Sequence, residues 1–168
     1  MAAPLVLVLM GVSGSGKTTV GALLAGKLQR QYAEADEFHS AANVAKMAAG
    51  HPLTDDDRWP WLRAIGDWID ERIAKGERSV VTCSALKRRY RDVLRRPEVL
   101  FVYLQGSREQ IAQRLAARHG HFFKASMLDS QFADLEEPTP DEHAVTVSIG
   151  GSPSEIVDDI VAATGADR

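Results

Sequence analysis

Residues 11–18 read Gly-Val-Ser-Gly-Ser-Gly-Lys-Thr, and they directly follow the apolar run Leu5–Met10. This stretch has the spacing G-x-x-x-x-G-K-[ST], and it lies between a predicted strand and a predicted helix. The glycines allow the backbone to curl so that successive N–H groups point at phosphate oxygens. The amino terminus of the following helix directs its dipole at the same anion. The segment therefore predicts a phosphate-binding loop rather than a glycine-rich turn that binds nothing.

The residues of this loop are candidate ligands of a nucleotide and its metal ion. We expect Lys17 to reach the β- and γ-phosphates and the Thr18 hydroxyl to ligate Mg²⁺. The loop residues predicted to bind nucleotide are Gly11, Val12, Ser13, Gly14, Ser15, Gly16, Lys17, Thr18 and Thr19.

Composition limits the possible classes of function. The 168 residues fit a single domain, and the formal charge of −3 provides no broad basic field for general nucleic-acid binding. The one cysteine, Cys83, cannot form an internal disulfide, which favours a reducing compartment. No apolar run approaches the roughly 18 residues of a membrane span, and no signal peptide is evident. We predict a cytoplasmic protein with neither membrane nor nucleic-acid partners.

Apolar runs alternate with helical patterns along the chain. The predicted strands are Leu5–Met10, about Tyr32–Ala35, Ser79–Cys83, Val99–Leu104 and Ala144–Ile149. The predicted helices are Thr18–Gln31, Trp61–Lys75, one that starts after Ser107 and one that starts after Ser152. This alternation indicates an α/β fold with a parallel sheet between two layers of helices. Ligands of such sheets bind beyond the carboxyl ends of the strands.

Asp36 follows the second predicted strand and is a candidate catalytic residue. It could accept a proton from a substrate hydroxyl, or hold that hydroxyl in line with the γ-phosphate. The alternative is an N-cap of the next helix. The position at a strand end favours the catalytic interpretation. The third strand ends without an aspartate, so Asp36 could also serve the shell of Mg²⁺.

Two groups of basic residues are further candidates. Arg58 suits a carboxylate or phosphate, and Lys87 lies at the end of the third strand, whereas most other cations of residues 87–96 are predicted to form a solvated helix face. Arg114 and Arg118 share a helix face before a glycine. They could form a basic flap that continues into a lid over about residues 117–137, or could complement the dipole of their own helix. Residues 135–143 are predicted to form an exposed connection.

Five segments resemble the gluconate kinase family over nearly the whole chain, from Leu5 to about Ile160. They are Gly11–Thr18, Asp36-x-x-His39, Lys46-Met47-x-x-Gly50-x-Pro52-Leu53-x-Asp55-x-Asp57-Arg58-x-Pro60-Trp61-Leu62, Cys83-Ser84-Ala85-Leu86-Lys87-x-x-Tyr90-Arg91-Asp92 and Gly120-His121-Phe122-Phe123-Lys124. The resemblance implies a three-layer αβα P-loop kinase fold with a five-stranded parallel sheet, substrate-binding helices over residues 37–75 and a mobile helical lid. It also implies phosphorylation of D-gluconate at the 6-hydroxyl with ATP and Mg²⁺, and a possible homodimer.

The same resemblance implies roles for individual residues. Lys17, Asp36 and Arg118 would be catalytic, and Arg114 would contact phosphate or stack on adenine. The implied acceptor ligands are Asp36, His39, Arg58, Lys87, His121 and Gln131. Ala35 departs from the glycine that many members have before the aspartate. A kinase of shikimate or a nucleoside monophosphate, or a nucleotide-binding regulatory module, remain as alternatives.

Overall fold

The structure, a computed structural model, describes residues 4–51, 53–119 and 125–166. Its strands are β1 (Val6–Met10), β2 (Gln31–Glu34), β3 (Ser79–Thr82), β4 (Val99–Gln105) and β5 (Ala144–Ser148). The α-helices are α1 (Lys17–Leu28), α2 (Ala41–Ala48), α3 (Asp55–Ala74), α4 (Arg88–Leu94), α5 (Arg108–His119), α6 (Ala125–Asp134) and α7 (Pro153–Thr164). The strands are parallel and lie in the order β2-β3-β1-β4-β5.

The central strand β1 separates two hydrophobic cores. All of its residues are fully buried, as expected for a strand covered on both faces. Leu7 and Leu9 face the core formed with α1, α5 and α7, whereas Val6, Val8 and Met10 face the core formed with α3 and α4. The predicted three-layer αβα architecture with a five-stranded parallel sheet is therefore confirmed.

Several helix starts depend on side-chain caps. The predicted cap at Ser107 is confirmed by reciprocal hydrogen bonds with Gln110, and Ser152 forms the same pattern with Glu155. Each cap satisfies backbone donors that lack a partner within the helix. Across the described ranges, no helix combines the length and apolarity needed to cross a membrane.

Helix α3 begins earlier than the sequence pattern predicts. The predicted start at Trp61 is wrong, because the helix begins at Asp55 and contains Pro60. Thr54 Oγ1 accepts a hydrogen bond from the backbone of Asp57 at 3.2 Å, and the Asp57 carboxylate accepts one from the backbone of Thr54 at 2.8 Å. This capping box stabilises the first turn, and the proline removes only one hydrogen bond close to the helix start.

An ion pair between Arg91 and Glu142 corrects two further expectations. Arg91 does not lie on a solvated helix face, and the connection over residues 135–143 is not exposed throughout. Both side chains are buried, with Arg91 Nε 2.7 Å from Glu142 Oε1. Arg91 also donates to the carbonyl oxygens of Ala85 at 2.8 Å and Leu86 at 3.2 Å. The sequence shows each charge but not its distant partner, which is what allows both to be buried.

Candidate active site

The loop between β1 and α1 depends on glycine at two positions that contact α5. Gly14 has φ of +85°, and a Cβ atom there would lie 2.8 Å from Leu115 Cγ. Gly16 has φ of +92° and forms the N-cap of α1, where a Cβ atom would lie 3.3 Å from Arg114 Nη1. A side chain at either position would meet both backbone strain and α5. Glycine therefore allows the loop to curl tightly at the amino end of α1.

Lys17 turns back over this loop from the first residue of α1. Its Nζ atom donates to the carbonyl oxygens of Gly11 at 2.7 Å and Val12 at 3.1 Å. Burial lowers the pKa of Lys17 to about 8, against the opposing effects of Cys83 and Asp36. The ammonium group is therefore held between the phosphate loop and a carboxylate, where it can attract a phosphoryl group.

A cleft of about 410 Å³ opens where β1, β2 and β3 end. It is lined by loop residues that include Lys17 and Thr18, by Asp36 after β2, by Ser84 after β3 and by Arg118 on α5. The start of the loop is tied to the end of β3, because the Gly11 backbone donates to the Ser84 carbonyl oxygen at 3.2 Å. Residues from distant parts of the sequence thus surround one space at the carboxyl edge of the sheet, as this class of fold predicts.

Asp36 lies in a 3₁₀ turn over Ala35–Phe38 and does not cap α2. That cap is Ser40, whose side chain accepts a hydrogen bond from the Asn43 backbone at 3.1 Å. The Ala35 carbonyl oxygen accepts a hydrogen bond from Trp61 Nε1 at 2.7 Å, which fixes the turn against α3. The capping alternative for Asp36 is therefore wrong, and its carboxylate lines the cleft.

His39 interacts electrostatically with both Asp36 and Arg58. Its ring stacks on Trp61 with centroids 4.2 Å apart, and its Nδ1 atom is 3.4 Å from Asn43 Nδ2. Burial lowers the pKa of His39, while the charge of Asp36 raises it and that of Arg58 lowers it. A neutral imidazole offers one donor and one acceptor, which suits hydrogen bonding to hydroxyl groups.

Two basic residues that the sequence predicts to bind the acceptor, Arg58 and Lys87, lie close to Tyr90. Arg58 Nη1 donates to the Tyr90 hydroxyl oxygen at 3.3 Å, and the Lys87 Nζ atom lies 5.8 Å from the centre of the ring. The Tyr90 hydroxyl in turn donates to Asp55 Oδ1 at 2.5 Å. Lys87 Nζ is also 3.9 Å from Asp134 Oδ1 at the end of α6. The structure therefore brings Arg58 and Lys87 together around one aromatic ring.

The face of the loop toward α5 and α7 holds a second cavity, of about 170 Å³. Gly16, Arg114, Arg118 and Pro153 are among its lining residues. Arg114 Nη2 donates to the Ile149 carbonyl oxygen at 2.5 Å, which fixes this arginine next to the loop after β5. This cavity adjoins the phosphate loop and is suited to the remainder of a nucleotide.

Gln131 and His121 are the two remaining residues that the resemblance implies as acceptor ligands. Gln131 contacts the phosphate loop, with Oε1 2.6 Å from the Ser13 backbone nitrogen and Nε2 2.8 Å from Ser13 Oγ. His121 belongs to residues 120–124, which lie outside the described residues. Its role as an acceptor ligand therefore stays a prediction, as does closure of the lid.

The residues of the cleft fit a magnesium ion that is held mainly by phosphate. The Thr18 hydroxyl and the Asp36 carboxylate line the same space and supply the oxygen ligands that Mg²⁺ prefers. Among the described residues, no cluster of three or more His, Cys, Asp or Glu side chains could hold a metal ion. Binding through few protein oxygens together with substrate phosphates is typical of Mg²⁺ in kinases.

Comparison with known proteins identifies the family. The gluconokinase of Sinorhizobium meliloti 1021 superposes with a TM-score of 0.87 at 45% identity, covering 98% of this chain and 94% of that one. The gluconokinase of Gluconobacter oxydans (strain 621H) is 46% identical over 160 residues, which are 94% of this chain and 90% of that protein. The chain belongs to the gluconokinase family.

The gluconokinase family shares its fold with shikimate kinase. A family model described as shikimate kinase matches residues 13–164. Shikimate kinase from Aquifex aeolicus superposes with a TM-score of 0.59 at 16% identity, covering 96% of this chain and 97% of that one. Identity at that level shows the fold alone, so the gluconokinases are the relatives that bear on the acceptor.

Sequence reasoning about this gluconokinase-family chain missed Tyr90 and Asp55 as parts of the site. In the sequence, both residues stand out only as members of the segments that resemble the gluconate kinase family. Asp55 instead accepts from Tyr90 and lies 3.7 Å from Arg58 Nη1. Burial raises the pKa of Tyr90, and its hydrogen bond to Asp55 acts in the same direction. The spacing of the motif was the only available signal, because these contacts join α3 to α4.

Proposed function

We propose that this protein transfers the γ-phosphoryl group of ATP to the 6-hydroxyl of D-gluconate, giving 6-phosphogluconate and ADP. The observation that carries the proposal is one cleft lined by Lys17, Asp36 and Arg118. A cationic group, Arg58 and Lys87 around Tyr90, is linked to it through His39, which interacts electrostatically with both Asp36 and Arg58. Such an arrangement in a chain 46% identical to a gluconokinase supports a sugar acid as the acceptor.

In this proposal Asp36 accepts the proton of the acceptor hydroxyl. The 6-hydroxyl oxygen forms a bond to the γ-phosphorus as the bond from phosphorus to the departing ADP oxygen breaks. The hydroxyl proton passes to the Asp36 carboxylate, which also orients the hydroxyl for in-line attack. The 3₁₀ turn and the bond from Trp61 to the Ala35 carbonyl hold this aspartate at the end of β2.

Cationic groups stabilise the charge that spreads over the transferring phosphoryl oxygens. Lys17 holds the β- and γ-phosphates, and Arg118 of α5, which lines the same cleft, adds a second positive charge. Thr18 and Asp36 are the residues that would hold Mg²⁺, which when bound neutralises charge on the phosphates. Fixed charges in a narrow cleft act more strongly than the same charges in water.

The acceptor is held by groups that match its two kinds of oxygen. Arg58 and Lys87 bind the gluconate carboxylate, since a guanidinium and an ammonium group both form charge-assisted hydrogen bonds. His39 binds a hydroxyl between the carboxylate end and the reacting end, consistent with its electrostatic interaction with both Arg58 and Asp36. The acceptor thereby spans from the Tyr90 group to the phosphate loop.

The test is ADP release by the purified protein with ATP and Mg²⁺. D-gluconate is compared with shikimate, glucose, AMP and no acceptor. We expect acceptor-dependent release with gluconate and background rates with the others. A rate that depends on shikimate or AMP would support kinase activity but would rule out a sugar acid as the acceptor. ATP binding without any acceptor-dependent release would favour a regulatory module.

Location and assembly extend the same proposal. The single cysteine, Cys83, fits a reducing compartment, and we place the reaction in the cytoplasm, where ATP is available. The resemblance to the gluconate kinase family also allows a homodimer, and light scattering coupled to size exclusion measures the assembly directly. A monomeric mass at micromolar concentration would reject the dimer without affecting the chemistry.

A further inference from the structure

The side chain of Gln131 makes a two-point contact with a single residue of the phosphate loop. Its oxygen lies 2.6 Å from the Ser13 backbone nitrogen, and its nitrogen lies 2.8 Å from Ser13 Oγ. The two residues are 118 positions apart, so the contact joins α6 directly to the loop. Ser13 also lines the main cleft. The contact therefore acts on a residue that faces the cleft.

The chemistry of the two groups fixes the direction of both hydrogen bonds. A backbone N–H can only donate, so the atom facing the Ser13 nitrogen must be the carboxamide oxygen. The carboxamide nitrogen then faces Ser13 Oγ, and because an NH₂ group can only donate, the serine oxygen must accept. The hydroxyl proton of Ser13 is not used in this contact. It remains available as a donor to an anion in the cleft.

We infer that Gln131 is a positioning residue of the nucleotide site, which orients the Ser13 hydroxyl as a donor to the phosphates of ATP. This differs from the role that the sequence predicts for Gln131, a hydrogen bond to the acceptor. The inference rests on one part of the proposed function, the binding of ATP in the cleft, and not on the identity of the acceptor. Gln131 acts through Ser13, whereas Arg58 and Lys87 contact the acceptor.

Glutamine has a property here that its nearest isostere lacks. A glutamate at position 131 would still accept from the Ser13 backbone. Its second oxygen would face Ser13 Oγ, and two acceptors can share a hydrogen bond only if the serine donates its proton. Gln131→Glu would therefore turn the hydroxyl proton away from the cleft and add a negative charge near the phosphates. The size and shape of the side chain would stay almost unchanged.

The experiment compares Gln131→Glu, Gln131→Ala and Ser13→Ala with Ser130→Ala, a matched control at an exposed position of the same helix. Equilibrium binding of a non-hydrolysable ATP analogue with Mg²⁺ is measured without acceptor, and KM is measured for ATP and for gluconate. We expect Gln131→Glu to weaken nucleotide binding by about tenfold or more. The substitution removes the hydrogen bond from the Ser13 hydroxyl to phosphate and adds repulsion between the new carboxylate and the phosphates. Gln131→Ala should have a smaller effect, and the KM for gluconate should change little.

A double-mutant cycle separates positioning from a structural role. If Gln131 acts through the hydroxyl, the Gln131→Glu substitution should cost less nucleotide affinity in the Ser13→Ala background than in the wild type. The thermal unfolding midpoints of Gln131→Glu and Ser130→Ala should match. Equal costs in both backgrounds, unchanged nucleotide binding, or a rise confined to the KM for gluconate would overturn the inference. Because binding is measured without acceptor, inactivity toward gluconate would reject the proposed function alone.

Discussion

The nucleotide side and the acceptor side of the cleft are built in different ways. On the nucleotide side, Lys17 contacts the carbonyl oxygens of Gly11 and Val12, only six and five residues away in the chain. On the acceptor side, Tyr90 meets Arg58 and Asp55 across separations of 32 and 35 residues. The first is mainly a property of local backbone, and the second is a property of tertiary packing.

This difference predicts that the two sides will tolerate substitution differently. The phosphate loop offers backbone N–H groups, which no side-chain substitution removes directly, and a single lysine supplies its charge. The acceptor side offers side chains held by other side chains, so each contact depends on the position of α4 relative to α3. We therefore expect a large loss of activity when Lys17 is replaced. Replacing single residues of the acceptor side should cause smaller, graded losses of activity.

The largest expected effect tests the nucleotide side. Lys17→Ala should lower kcat/KM for ATP by about a thousandfold, because it removes the charge that stabilises the transferring phosphoryl group. Steady-state kinetics measures this, and circular dichroism should show an unchanged fold. The control is Lys27→Ala, an exposed lysine of the same helix that pairs with Asp158. Equal activity in the two variants would contradict the assignment of this loop as the phosphate-binding loop.

The second effect tests the buried ion pair between Arg91 and Glu142, which supports the loop after β3 on the acceptor side. Glu142→Gln should lower the free energy of unfolding by about 3 kcal/mol, because it leaves the buried Arg91 without a charged partner. Urea denaturation measures this change. The control is Asp141→Asn, which alters an exposed ion pair with Arg88 and should cost about 1 kcal/mol or less. A loss no larger than that of the control would mean that this pair does not hold the loop after β3.

The same carboxylate gives the wild type a characteristic pH dependence. Burial acts to raise the pKa of Glu142, but hydrogen bonds from Arg91, the Thr139 backbone and Arg95 outweigh it and lower the pKa to about 2. A depressed pKa means that stability is present above the ordinary value of 4.5 and is lost as the pH falls toward 2. The Glu142→Gln variant should lack this part of the acid dependence.

The third effect tests the boundary between the two sides. Asp36→Asn should lower kcat by about a hundredfold while changing the affinity for ATP far less, because an amide cannot accept the hydroxyl proton. The matched control is Glu37→Gln, the exposed neighbour in the same turn. An unchanged kcat would remove Asp36 from the chemistry, since the structure has already excluded a capping role.

The smallest expected effect sharpens the acceptor side. Arg58→Ala should raise the KM for gluconate by about tenfold or more and leave the KM for ATP nearly unchanged, because it removes a charge-assisted hydrogen bond to the carboxylate. Arg63→Ala, an exposed arginine of the same helix, serves as the control. Equal rises in both KM values would show that Arg58 does not discriminate between the two substrates.

The nucleotide side could be predicted from sequence because its information is local. The loop motif, the strand before it and the helix after it lie within residues 5–31 and define the geometry by themselves. Asp36 could also be assigned to the cleft, since parallel strands bring their carboxyl ends to one edge of the sheet. The start of α3 was not predicted, because its apolar stripe begins only at Trp61, whereas Thr54 and Asp57 cap an earlier and more polar turn.

The buried charges and the Gln131 contact could not be predicted in the same way. Arg91 belongs to a strongly basic run, and composition alone indicates solvent exposure there. Only the fold shows that Glu142 reaches it from 51 residues away. Gln131 likewise has a neutral side chain with no helical pattern that points to Ser13. Contacts of this kind are set by the packing of whole elements and carry no signature in the local sequence.

Cys83 gives the protein a built-in reporter of cleft opening. It is the only cysteine, it lines the cleft, and 2% of it is exposed. Burial raises its pKa to about 12, so the thiol is almost entirely protonated at neutral pH and slow to alkylate. A thiol reagent therefore samples the moments when the surrounding segments separate, and its rate measures the free energy of that separation. Nucleotide should slow the labelling, which allows ligand protection to be followed without introducing a foreign probe.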